Sequence, residues 1–147
     1  MRYAVGCDHA GLPLKRPLVA ELQAWGHEVI DFGTDDPQSV DYPVFAAKVA
    51  RALGAGEAEM GLLLCGTGLG MAITANKFPG IRAVTVSEAF SARMARNHND
   101  ANVLCLGARV LGVGAALDVL RAWLGETFAG GRHQRRVDMI MEAPECL

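Results

Sequence analysis

At 147 residues the chain suits one domain that removes roughly two-thirds of its unfolded surface from water. Half of it is apolar (51%) and 20% is charged, so a core can form without disulfides or a structural metal. A formal charge of -2 and a pI near 6.1 exclude the basic excess of a general nucleic-acid surface, and no apolar run approaches the ~20 residues of a membrane span.

Short Val/Ile/Leu-rich runs alternate with longer amphipathic segments. Residues 3–7 are predicted as the first strand, entered at once from an N-terminus that lacks the apolar stretch and cleavage site of a signal peptide. A helix over about 12–25 follows, with Pro13 in its first turn. Residues 28–32 form the second strand, and a polar loop with Pro37 and "DYP" (Asp41, Tyr42, Pro43) leads to an alanine-rich helix over 44–53. Residues 60–65 are the third strand, from which a glycine loop opens a helix that fades near Asn76. A fourth strand over 82–86 precedes a helix to about Asn97. A fifth strand over 103–106 precedes a helix over 113–124. The last helix, about 131–143, starts after Gly130 and Gly131 and carries Val137, Ile140 and Met141 on one face. It is expected to pack on the sheet or on a partner subunit.

Strands apolar on both faces and separated by helices imply a parallel sheet covered on two sides. The expected fold is α/β: a single domain over 1–147, a three-layer α/β/α Rossmann-like sandwich with a five-stranded parallel sheet and right-handed crossovers. Cys7, Cys65, Cys105 and Cys146 show no C-x-x-C or zinc-finger spacing, which fits free thiols in a reducing cytoplasm.

In such folds ligands bind beyond the carboxyl ends of the strands. Those ends carry Asp8, His9 and Gly11; Cys65 to Gly70; Ser87 and Glu88; and Gly107 with Arg109. Two polar clusters lie elsewhere, "NHND" (97–100) and "RHQRR" (132–136). Gly66, Gly68 and Gly70 can present successive backbone N–H groups to an anion. The dinucleotide pattern G-x-G-x-x-G fails at Met71, and no Walker lysine is present. A tight turn alone would also explain the glycines; an oxyanion hole beside Cys65 is the sharper reading. Backbone donors favour a thiolate, making Cys65 a usable base or nucleophile, whereas Cys7 and Cys105 read as small buried hydrophobes. Arg132 and Arg136 stand i,i+4 on one helix face and suit a phosphate, although a solvated helix would also carry them. His98 and Asn99 suit a helix C-terminus on local grounds alone. No metal set emerges, since Asp8 and His9 would meet Cys65 only by a coincidence of folding.

Together "GCDHAG", "DYP", "CGTGLGMAITANKFPGIRA", "SEAFSARMARNHNDANVLCLGARV" and "GGRHQRR" resemble the type B ribose-5-phosphate isomerase family, which also takes in galactose-6-phosphate and allose-6-phosphate isomerases. The resemblance runs from about residue 3 to 138. It implies an aldose–ketose isomerase of D-ribose 5-phosphate and D-ribulose 5-phosphate, in the pentose phosphate pathway, without metal or organic cofactor. It also implies a homodimer or dimer of dimers with active sites shared across the interface. Cys65 is implied as the base, Gly66, Thr67, Gly68, Leu69 and Gly70 as the hole for the enediolate oxygens, and His98 as the ring-opening residue. Asp8 and Tyr42 are implied near the sugar; His9, Arg132 and Arg136, with His133 close by, at the phosphate; and Asn99 and Arg109 as ligands given by the neighbouring subunit. A hexose-6-phosphate isomerase of the same family and a non-catalytic phosphosugar-binding module are the alternatives.

Overall fold

The computed structural model describes residues 1–142. Five strands, β1 (Arg2–Cys7), β2 (Glu28–Asp31), β3 (Met60–Cys65), β4 (Ala83–Thr85) and β5 (Val103–Gly107), pair in parallel in the order β2-β1-β3-β5-β4. Helices α1 (Leu12–Ala24), α4 (Ala89–Asn97) and α5 (Val113–Leu124) pack on one face through Leu14, Leu18, Leu22, Leu120 and Trp123. Helices α2 (Tyr42–Gly54) and α3 (Leu69–Ala75) cover the other through Val49, Ala50, Met71 and Ala75. The expected three layers are therefore present, with every residue of β3 buried between them.

Local differences have local causes. Helix α2 begins at Tyr42 rather than at 44 because Pro43 falls in its first turn, where a missing N–H costs nothing. The final helix is α6 (Arg132–Glu142). His133 near its start stacks on His98 at the end of α4, and Met141 near its end accepts from Arg82 just before β4. Val137 is buried, but Ile140 and Met141 of the same expected face remain 52% and 39% exposed. Residues 143–147, with Cys146, lie outside the described residues.

Cys7 and Cys105 are fully buried, and burial pushes the Cys7 thiol up to about 12 and the Cys105 thiol further in the same direction. Both are packing residues.

Two of the tightest points predict stability effects. A Cβ on Gly11 would stand 2.5 Å from the carbonyl carbon and oxygen of Leu64, so the turn after β1 can approach the end of β3 only with glycine. Gly11→Ala is expected to destabilise by at least ~1–3 kcal/mol, the usual cost of overpacking, read from chemical denaturation. The Nδ1 atom of His27, whose ring leans on Tyr3, is buried without a partner. Burial, then the N-terminal charge, push this imidazole below its ordinary value. The unfolded chain therefore takes up the proton first, and stability falls as pH drops through about 6.5. The fall in Tm between pH 7.5 and 5.5 should be smaller in His27→Phe than in the wild type.

Candidate active site

The site residues group at the two ends of the sheet. At the carboxyl ends of the strands, the crest, Cys65 closes β3 and is 5% exposed; its Sγ accepts a hydrogen bond from the Gly68 amide at 3.1 Å. Gly68 makes this possible with φ +80, a left-handed conformation that glycine adopts freely. The Leu69 amide turns back to Thr67 Oγ1 at 3.3 Å, while those of Thr67 and Gly70 engage no other described residue. The ring of Tyr42 covers Gly70, whose Cβ position would lie 2.7 Å from the tyrosine hydroxyl. Arg109, tied by its amide to the Gly66 carbonyl at 3.0 Å, lays its guanidinium along Gly66 of its own chain.

The turn after β1 completes the crest. Asp8 is buried and its Oδ1 accepts from the amides of Ala10 and Gly11 at 2.9 and 3.0 Å. His9 Nδ1 accepts from the Val40 amide at 3.2 Å, so a neutral His9 carries its proton on Nε2. The loop that supplies Val40 and Tyr42 is held by Lys15, whose Nζ meets Asp31 and Asp35 at 2.8 Å and the Thr34 carbonyl at 3.0 Å. Although burial opposes its charge, the bonds to both aspartates raise Lys15 above its ordinary value. Glu88, a strand-end candidate, instead caps α4 by accepting from Phe90 and Ser91 at 2.6 and 2.7 Å.

The second group occupies the amino ends of the strands, the foot. Because α4 returns from the end of β4 to the start of β5, its C-terminus must lie there. His98 stacks on His133 with centroids 4.1 Å apart and planes within 8°. Burial, then His98, Arg132 and Arg136, push His133 below its ordinary value. Asn99 lines an open groove of about 730 Å³ with Phe78, Arg82, Ile140 and Met141. Asp100 serves structure: its carboxylate bridges Arg82 and Arg96 at 2.9 and 3.0 Å.

Cys65 sits beside Gly107 at the far end of β5, whereas His98 precedes Val103 at its beginning. Five residues of strand, roughly 16 Å at 3.3 Å each, separate the two levels. One chain thus assembles Asp8, His9, Tyr42, Cys65 to Gly70 and Arg109, and separately His98, Asn99, Arg132, His133 and Arg136. Within that chain His9 does not join Arg132 and Arg136, nor His98 the thiol. Lys15, unlike the polar loop it clamps, escaped the sequence reading, since a lone lysine in "LPLKRP" looks solvated.

The family model described as Ribose/Galactose Isomerase matches residues 3–140. The chain belongs to this family. It is 52% identical over 139 residues to the ribose-5-phosphate isomerase B of Escherichia coli (strain K12), covering 95% of this chain and 93% of the relative. It is 41% identical over 138 residues to a D-erythrulose-4-phosphate isomerase of Pectobacterium atrosepticum, covering 93% and 91%. The solved structure of Clostridium thermocellum ribose-5-phosphate isomerase B superposes with a TM-score of 0.95 at 51% identity, covering 99% of this chain and 98% of that one. As a family member the chain shares that five-stranded α/β fold.

Proposed function

We propose that this protein interconverts D-ribose 5-phosphate and D-ribulose 5-phosphate through an enediolate, with Cys65 as the base. The observation that carries the reading is the thiol at the end of β3, faced by the Gly68 amide and followed by the unengaged amides of Thr67 and Gly70. The thiolate takes the proton from C2 of the open-chain aldose, and the electron pair of that C–H bond forms the C1–C2 double bond. Charge develops on O1, where pre-oriented amides are most useful. Return of the proton to C1, with transfer of the O2 proton to O1, gives the ketose. Thr67, whose Oγ1 accepts from the Leu69 amide within that loop, serves these oxygen protons.

The remaining roles divide by end of the fold. Asp8 and Tyr42 face the sugar from the crest, with His9 offering its Nε2 proton to the phosphate. His98 opens the furanose ring, and Arg132, Arg136 and His133 grip the phosphate from the foot. Since one chain holds the two groups apart, a complete site takes its crest from one subunit and its foot from another. This supports a homodimer, alone or as a dimer of dimers, with Asn99 crossing to the neighbour's site and Arg109 at the seam. The reading also implies a cytoplasmic enzyme of the pentose phosphate pathway that needs no metal or organic cofactor.

Formation of ribulose 5-phosphate in the presence of EDTA tests the activity. A second reading rests on the family's breadth, whose name includes galactose and whose members include one named for a four-carbon sugar phosphate. Turnover of ribose 5-phosphate is expected to exceed that of allose or galactose 6-phosphate by at least tenfold in kcat/KM. Comparable values would give the hexose reading precedence, and binding without turnover of any of them would leave a phosphosugar-binding module.

A further inference from the structure

Thr85, the last residue of the edge strand β4, takes no part in the site described above. Its Oγ1 donates to the Gly68 carbonyl at 3.0 Å. That carbonyl already accepts from the Ala72 amide at 3.1 Å, the first bond of α3, so the helix does not need the hydroxyl. Gly68 is also held close to the sheet: a Cβ there would stand 3.0 Å from Thr85 Cγ2 and 3.2 Å from the backbone of Cys105, the register partner of Thr85. The same glycine donates its amide to Cys65 Sγ at 3.1 Å.

We propose that Thr85 is a positioning residue for the Cys65 base, acting through Gly68. The inference rests on the isomerase reading for its effect on turnover, but not for its effect on the thiol. A hydrogen bond to sulfur favours the thiolate over the thiol and fixes where the sulfur lone pair points. The hydroxyl of Thr85 ties the glycine loop to the sheet and sets the position of that amide. Thr85 lines a crest hollow of about 320 Å³ with Thr67 and Leu69, and its contact on the loop is Gly68, whereas Tyr42 meets Gly70.

Two near-isosteric substitutions separate the hydroxyl from the methyl. Thr85→Val keeps the contact of the branched side chain with Gly68 and removes the donor; Thr85→Ser keeps the donor and removes the methyl. Alkylation of Cys65 by iodoacetamide, followed on its own peptide by mass spectrometry, reads the thiolate without any turnover. The two thiols that interact with Cys65, Cys7 and Cys105, are the same in both variants. In Thr85→Val, alkylation at neutral pH is expected to slow about tenfold, the equivalent of one unit in the thiol's ionisation, with the high-pH plateau unchanged. The kcat should fall by a similar factor while KM stays within about twofold, and Thr85→Ser should recover most of both.

Unchanged alkylation and kcat in a folded Thr85→Val would overturn the proposal, as would a Thr85→Ser that fails as badly as Val. Should Thr85→Val not fold, Thr85→Ser against Thr85→Ala isolates the hydroxyl equally well. A wild type that never isomerises a phosphosugar would sink the isomerase reading alone, since the alkylation difference would still decide the role of Thr85.

Discussion

Cys65→Ala is expected to lower kcat for ribose 5-phosphate by about 10²- to 10⁴-fold, the range that a positioned base contributes. The phosphate contacts lie away from the reacting carbons, so binding of ribose 5-phosphate, measured by calorimetry, should weaken by no more than about threefold. The variant should also fold, because Cys65 contributes one small buried side chain and its backbone ladder partner is Gly107. Cys65→Ser is the harder test, since a hydroxyl keeps the volume and can still accept from Gly68. Serine is far less acidic than a thiol, so its loss of rate should approach that of alanine. Full activity in either variant would move the base elsewhere and leave Cys65 as packing.

Mixing two inactive variants should restore activity. Cys65→Ala spoils the crest and leaves the foot intact, and His98→Asn does the reverse. Neither homodimer holds a complete site. After unfolding together and refolding in equal amounts, half of the dimers are mixed, and each mixed dimer has one wild-type site and one doubly spoiled site. Recovery of about a quarter of wild-type activity is expected for such a two-fold symmetric assembly. A pair of crest variants, Cys65→Ala with His9→Ala, should recover nothing under the same treatment. Equal recovery from both pairs, or none from either, would contradict the shared site.

The sheet could be read directly because each strand is a short apolar run bounded by a different kind of residue. "MGLLLC" before "GTGLG" gives strand, turn and thiol in eleven letters, and Cys65 and its loop stand where that order puts them. The relation between the two clusters was less legible. The chemistry of His98 and Arg132 groups them with Cys65, yet a helix that follows one parallel strand must deliver its end to the start of the next. That geometric rule places "NHND" at the foot of the same chain, away from Cys65. Other contacts depend on partners far along the chain. Lys15 finds its aspartates 16 and 20 residues later, at the end of β2 and in the loop beyond it, and Thr85 finds a carbonyl 17 residues earlier; no local pattern specifies either meeting. Tyr42 was legible as a residue, but not as a lid over Gly70, where no Cβ could fit.

A duplicated gene for a chain of this design can divide its labour. If crest and foot come from different subunits as proposed, selection on two diverging copies need not preserve both ends in each. One copy can keep the thiol and the glycine loop while its basic final helix drifts; the other can keep that helix while its cysteine is lost. The result is a pair of polypeptides that are inert alone and active together, each maintained for half of a site. Under the proposed sharing, the separation of His98 from Cys65 by the length of β5 makes an obligate heteromer reachable by loss alone, without the invention of a new surface.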